Sequence, residues 1–525
     1  MDLKRINREV IYSAGVTCVI TFLYVWILEG YGLNFADEGF LWYGTQRAFE
    51  GEIPLLDFQS YEIGRYYWGV FWFWVSGGDS LFHLRLSNAL FGSIGIFASI
   101  FLMRKLGLSW YTCIAIGIAV AIWYNFPRHK PFVKTFQVTT TLSLFYLLRD
   151  PYSRKIQLLT GFNVGVAALF GCNLGVYSLF ATGTCLALAR FAKAIELRKE
   201  CLLNLGYGVV IGYAPMIAFF LFNGGFRDAF LESLGNLLMG RYSQVALVVP
   251  FPWVVERYYY ETLSDFSHIA HSFSMFLVPL SYGIGLVLAP ALIRKKDPCV
   301  ILATASVCAG IPYFHHCLAR ADVDHLAQAL FPFLFLVVAA GLYSMNYRKI
   351  GKFLAPCAIG IIAILTFFIY LANVPLFKLQ RLSSESAPLA AIEIDGNEFV
   401  DDSKKITFLK ALSEEVNSHG TSPETIFIAP HYPFLYSFLK VKAPWKETFF
   451  LWERMPEWQR KHIEAIEANP PEIALIDPEA TYDNLPGLKF KNANGLVWHY
   501  ILSNFEQNGT IGQANNIHFQ VFIRK

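Results

Sequence analysis

The stretch Val10–Leu28, VIYSAGVTCVITFLYVWIL, is apolar throughout and leads into two adjacent acids, Asp37 and Glu38, within Asn34-Phe-Ala-Asp-Glu-Gly-Phe. A helix crossing the roughly 30 Å hydrocarbon core of a bilayer needs about 20 such residues, so the stretch reads as a membrane span. Its basic flank of Lys4, Arg5 and Arg8 resembles that of a signal peptide, but it is long and lacks a small-x-small cleavage site, which makes it an uncleaved anchor. Runs of the same kind recur near 82–103, 109–125, 132–148, 156–172, 174–190, 204–222, 271–293, 299–315, 326–345 and 353–373, for about eleven transmembrane helices in all.

Composition agrees with that reading. With 55% hydrophobic and only 16% charged residues and a mean hydropathy of +0.40, the chain lies outside the range of soluble domains. A net charge of +3 gives no basis for a nucleic-acid partner, and the partner implied first is the lipid bilayer. All nine Cys precede residue 360 and sit mostly inside apolar runs, which argues against a disulfide framework.

The basic residues report orientation. Starting from the N-terminal cluster, every second connection is rich in Lys and Arg: Arg104-Lys105, Arg149 to Lys155, Arg190 to Lys199, Arg294-Lys295-Lys296, and Arg348-Lys349 with Lys352. Short cytoplasmic loops carry such residues, so the N-terminus is expected on the cytoplasmic side. An odd number of spans then places the tail outside. Residues 1–373 are expected to form the transmembrane domain and 374–525 a small extracytoplasmic α/β domain, with strands at Thr425-Ile-Phe-Ile-Ala, Glu472-Ile-Ala-Leu-Ile and His518-Phe-Gln-Val-Phe-Ile and helices at 406–416 and 496–505. The aromatic stretches 40–49 and 66–74 predict helices lying flat at the membrane interface. The loop 223–270, broken at Val249-Pro-Phe-Pro-Trp, is expected to act as a partly mobile flap.

Asp37 and Glu38 carry the expected chemistry. One first-turn acid is explained by helix capping behind Asn34, where the dipole favours it by roughly 0.3–1 kcal/mol. A second is not, because an ionised carboxylate at a bilayer surface is costly without a partner or a task. A sugar on a polyprenyl phosphate already has a good leaving group, so one carboxylate acting as base on an acceptor hydroxyl suffices for transfer. The departing phosphate needs positive charge around it. Candidates on the outer side are Arg128, His129 and Lys130 in Asn125-Phe-Pro-Arg-His-Lys-Pro, Lys134 one turn on, and Arg65. The alternative for these is snorkelling to lipid headgroups. A further cluster, Arg320, Asp322, Asp324 and His325, suits a clamp on sugar or phosphate, a metal-ligand pair, or a self-satisfied salt-bridged turn. Arg85, at the outer end of the second span, reads as an anchor or the structural partner of a nearby acid. Pro430-His-Tyr-Pro-Phe-Leu-Tyr reads as a rigid aromatic turn that either packs or stacks on a sugar.

Ala36-Asp-Glu-Gly-Phe-Leu-Trp-Tyr with Ala48-Phe-Glu-Gly-Glu-Ile-Pro downstream, then Phe82-His-Leu-Arg-Leu entering the second span, resembles the GT-C superfamily of membrane glycosyltransferases, in particular the branch of protein O-mannosyltransferases and aminoarabinose transferases. The resemblance covers roughly the first 150 residues in motif and the whole bundle in pattern, and with a tail unlike the β-trefoil insertion of eukaryotic mannosyltransferases it implies a bacterial inner (cytoplasmic) membrane. It implies a GT-C-like bundle, a polyprenyl-phosphate-sugar donor, an acceptor hydroxyl on a glycan, lipid or protein, and Asp37 as base with Glu38 beside it; a divalent cation is optional and no other cofactor is implied. Gly39-Phe40 stands where many members continue Arg-Tyr, so headgroup contacts do not carry over. The rival readings are a transporter or flippase of lipid-linked sugars, and a scaffold for envelope assembly.

Overall fold

The computed structural model describes residues 3–238, 249–254, 263–347, 373–385, 388–418, 425–450, 453–481, 486–514 and 517–525. In chain order the helices are α1 (Leu3–Leu28), α2 (Asp37–Phe49), α3 (Ile63–Ser76), α4 (Leu81–Lys105), α5 (Trp110–Tyr124), α6 (Pro131–Arg149), α7 (Arg154–Phe170), α8 (Cys172–Phe191), α9 (Lys199–Phe222), α10 (Gly224–Leu238), α11 (Leu263–Leu292), α12 (Pro298–Ala319), α13 (Val323–Ala327) and α14 (Phe331–Tyr347). Beyond them lie α15 (Pro375–Glu385), α16 (Ser403–Ser418), α17 (Phe434–Leu439), α18 (Pro456–Ala468) and α19 (Gly495–Asn504). Among the described residues, six helices are long and apolar enough to cross a membrane, and α5 and α14 are shorter apolar helices, as befits a multi-pass membrane protein. The span expected at 353–373 lies almost wholly outside the described residues, as do 239–248 and 255–262 of the expected flap, whose described parts are mainly α10 and the start of α11.

The chain divides into two compact units, one formed by 1–28 with 88–377, the other by 29–87 with 378–525. In the first, α7 and α9 meet through small residues. A Cβ on Gly161 or Gly165 would run into the carbonyl oxygens of Leu205 or Val209, and one on Gly208 or Gly212 into those of Leu158 or Phe162. Both helices therefore carry a Gly-x-x-x-Gly step that lets their backbones touch, the device that replaces hydrophobic burial in a lipid environment.

The second unit contains a hairpin of β1 (Leu389–Ile394) and β2 (Asn397–Asp402), and a four-stranded sheet in the order β3 (Ile426–Ala429), β4 (Ile473–Ile476), β6 (Ile517–Arg524), β5 (Phe505–Ala514). Strands β3 and β4 are parallel and the other pairs antiparallel. The central strands β3 and β4 are buried at every position, which explains their unbroken apolar runs. Against the sheet packs a core of Phe427, Phe450, Ile466, Phe490, Val497 and Phe522.

The segment 29–87 belongs to this unit, and that revises one expectation. Helix α2 does not spread its rings on a bilayer surface. Trp42 is fully buried, its indole donating to the Asp79 carbonyl at 2.8 Å and its ring 5.3 Å from that of Phe434, and Tyr43 lies 5.2 Å from Tyr436. Rings so placed serve the protein's own core. Helix α3 does keep Phe71 and Trp74 outward, Trp74 with 77% of its surface exposed.

His462 on α18 is fully buried among rings: stacked on Phe450 at 5.0 Å, and 4.3 Å from Trp445. Neither ring nitrogen has a hydrogen-bond partner among the described residues. Burial, with Arg454 adding to it, holds this imidazole neutral far below its ordinary range. The unfolded chain takes up a proton below about pH 6.5 that the folded unit refuses, so stability falls as the medium is acidified past that point, by up to about 1.4 kcal/mol per pH unit. His462→Phe is expected to flatten this acid slope, as followed by denaturation midpoints between neutral and mildly acidic pH. An unchanged slope would remove His462 as its source.

Candidate functional site

Helix α2 begins where Asn34 turns the chain: its side-chain oxygen accepts from the backbone of Ala36 at 3.0 Å and of Glu38 at 3.5 Å. The two acids that follow have different fates. Glu38 is 1% exposed and receives both the Nε (3.0 Å) and an Nη (2.7 Å) of Arg85, itself fully buried. The other guanidinium donors reach the carbonyls of Glu29 and Gly32, and the Phe399 ring lies 5.0 Å away. Arg85 thus ties the 29–32 strand, the start of α2 and β2 to one point, as the sequence reading of a structural pair anticipates. Glu38, expected beside the base, is consumed in this pair and positions α2.

Asp37 is only half-buried. It lies within electrostatic reach of His431, from the turn between β3 and α17. Gly39 makes this approach feasible: a Cβ there would collide with the backbone of Phe434, whose N–H donates to the Phe35 carbonyl at 3.1 Å. The glycine that departs from the family pattern is therefore required by the seat of α17 on α2. Burial lowers His431 to about 4, against the pull of Asp37 to raise it, so at neutral pH its imidazole is uncharged. The sequence marked this turn by its two prolines, but nothing local joined it to Asp37. A ring wall continues from Phe40 to Phe449 and Tyr61, each at 5.2 Å, and the Arg65 guanidinium lies 4.6 Å over Tyr61. Arg65, a phosphate candidate in the sequence, is buried against that wall.

The remaining candidates belong to the first unit. Arg128 and His129 are buried in the turn between α5 and α6, and Lys130 is half-buried beside them. Lys134 is fully buried, and its ammonium is ringed by the carbonyls of Trp123 (3.1 Å), Tyr124 (3.2 Å), Phe126 (2.8 Å) and Pro127 (3.1 Å). The Trp123 and Pro127 carbonyls also accept from the N–H groups of Phe126 and Lys130, at 3.0 and 3.3 Å, and Lys134 completes the set at the end of the helix and its turn. Lys134 therefore closes the end of α5, a structural role beside the phosphate role expected for it. Lys134→Met is expected to cost about 3–5 kcal/mol of stability, measured by thermal or denaturant unfolding, because the buried carbonyls lose their shared donor. Normal stability with weakened donor binding would leave the phosphate role alone.

The turn and the Arg320–His325 segment, separate in sequence, are held together. The Trp123 indole donates to the Ala327 carbonyl at 2.9 Å, and the Gln137 amide to that of Gln328. In this segment Asp322 accepts from the Arg320 Nε at 2.7 Å, caps α13 by accepting from the His325 N–H at 2.8 Å, and meets the His325 Nδ1 at 2.7 Å. Burial works against its charge, but these partners hold the carboxyl down to about 2. His316 stands 5.2 Å from His325, ring to ring. Among the described residues no group of three or more His, Cys, Asp or Glu side chains is placed to hold a metal ion. Nearby in the same unit, α1, α5 and the start of α15 enclose a groove of about 720 Å³, lined along α1 from Ile11 to Leu28 and closed by Ile118, Ile122 and Phe377.

No protein-family model matches the chain, and no curated protein matches it either. Among solved structures it is similar to the oligosaccharyltransferase of Archaeoglobus fulgidus in its apo form, at 12% identity over 97% of this chain and 74% of that one with a TM-score of 0.44. It is also similar to ArnT of Cupriavidus metallidurans bound to undecaprenyl phosphate, at 12% identity over 98% and 97% of the two chains with a TM-score of 0.46. These are GT-C glycosyltransferases, the kind of protein the N-terminal motifs resemble. Likeness of this degree fixes no substrate and no residue's role.

Proposed function

We propose that the chain is an integral membrane glycosyltransferase that takes a sugar from a polyprenyl-phosphate donor and transfers it to a hydroxyl of a glycan, lipid or protein on the extracytoplasmic face, with inversion. The observation that carries this reading is the division of labour at the start of α2. Glu38 is locked to Arg85, and Asp37 remains half-buried beside a neutral imidazole. A carboxylate so placed can accept the acceptor's proton as the new glycosidic bond forms, while the phosphate leaves without needing an acid. Within the first unit, Arg128, His129, Lys130 and Arg320 are the candidate cations for a lipid phosphate, and the apolar groove along α1 suits an isoprenoid tail. The N-terminus lies in the cytoplasm, the spans within 1–373 form the membrane domain, and the 29–87 loop that carries Asp37 lies outside with 374–525. Asp322 and His325 hold Arg320 in place.

The test is a reconstituted assay with undecaprenyl-phosphate sugars, scoring both release of undecaprenyl phosphate and movement of intact donor across the bilayer. Release coupled to sugar transfer is expected. Movement without release would make the chain a flippase, and neither would leave a scaffold.

A further inference from the structure

A second cavity, of about 370 Å³, lies in the second unit, between the far end of α2, the loop after it, and the irregular stretch Lys442–Lys446. Tyr43, Arg47, Glu52, Asp57, Lys442 and Trp445 give it its chemistry. Three cations, Arg47, Lys442 and Lys446, line it with two carboxylates, Glu52 and Asp57, which leaves little net charge. Arg47 pairs with Glu50 at 2.7 Å and donates its Nε to Glu52 at 2.9 Å, and Glu52 also meets Lys442 at 3.3 Å. The wall therefore offers fixed donors and fixed acceptors side by side. A phosphate could use only the donors and would face two carboxylates, whereas a hydroxyl is donor and acceptor at once. Trp445 is half-buried, with one side backed by Trp458 at 4.9 Å and by the unpartnered His462 at 4.3 Å. That packing holds the indole rigid as a flat apolar wall for a ligand's C–H face. The loop is pinned in turn: Gln59 accepts from the N–H groups of Thr448 and Phe449, each at 3.0 Å. The volume is near the lower end for ligand sites and suits one or two sugar rings rather than a folded peptide.

We infer that this cavity is a saccharide subsite that holds a neutral ring of the substrate glycan at a distance from the reacting hydroxyl. It deepens the proposed transferase reading and rests on it for the word substrate. Tyr43 and Arg47 follow Asp37 on the same helix by roughly 9 and 15 Å at 1.5 Å per residue, a fitting offset for a ring two or three residues along the glycan from the one that reacts.

The full chain in lipid nanodiscs, applied to an array of neutral, phosphorylated and sulfated oligosaccharides with bound glycans then titrated by calorimetry, tests this. Wild type is expected to retain neutral glycans. Trp445→Ala is expected to weaken them about tenfold or more, and Trp445→Phe, which keeps the packing, only a few-fold. Asp37→Asn is expected to bind as wild type, which separates the subsite from catalysis. In the transfer assay, a raised acceptor KM in Trp445→Ala assigns the ring to the acceptor and a raised donor KM to the donor, both in support. No retained glycan, equal binding by Trp445→Ala, or preference for phosphorylated glycans with competition by inorganic phosphate would each overturn the subsite. Transfer that proceeds despite those results leaves the transferase reading standing alone, and glycan binding without transfer leaves the cavity standing alone.

Discussion

Asp37→Asn is expected to reduce transfer from a polyprenyl-phosphate sugar by about 10²–10⁴-fold, the range a positioned base supplies. The amide keeps the shape of the carboxylate but cannot take up a proton. Since the replacement is isosteric and keeps the hydrogen-bonding capacity of the side chain, the unfolding midpoint should stay close to wild type. That combination, a folded protein without turnover, distinguishes loss of a base from loss of structure. Transfer at the wild-type rate in this variant would end the assignment, and transfer restored by a more nucleophilic acceptor would strengthen it.

The second large effect is expected at Arg85 and Glu38, and here stability is the readout. Removing either partner alone leaves a charge stranded among groups that are almost fully enclosed, at a cost of about 3–5 kcal/mol. Arg85→Ala also leaves the carbonyls of Glu29 and Gly32 without this donor. Replacing both, as in Glu38→Leu with Arg85→Met, removes both charges and should be far less harmful than the sum of the singles. A double-mutant cycle by denaturant unfolding measures the coupling. Additive singles would show the pair to be incidental, and α2 would then be held by its rings alone.

Much of the membrane unit was legible in the sequence because hydropathy is a local property. The runs at 82–103, 109–125 and 204–222 appear as helices with ends shifted by only a few residues. The strands at 426–429, 473–476 and 517–524 were legible for the same reason, while β5, with its polar sequence and shifted register, left no alternation to find. Arg85 could be matched to a nearby acid, yet not to Glu38 over Asp37, because adjacent acids differ only in the direction they face from the helix. The cage around Lys134 is invisible in the sequence because it consists of backbone carbonyls, which no side-chain pattern reveals. The aromatic content of α2 signals an interface equally well whether the partner is lipid or a remote loop such as 431–450. His431 was beyond reach for that reason: its tie to Asp37 depends on a glycine that lets two distant segments touch.

The seam between α7 and α9 has a mechanical meaning. Where main chain rests on main chain, no side chain remains to change rotamer and let one helix slide past the other, so the two move as a single stiff strut. Any rocking that admits a bulky lipid or frees a spent one must hinge elsewhere in the unit. A lone methyl at Gly165 would act as a wedge, prising the strut apart where it met the Val209 carbonyl.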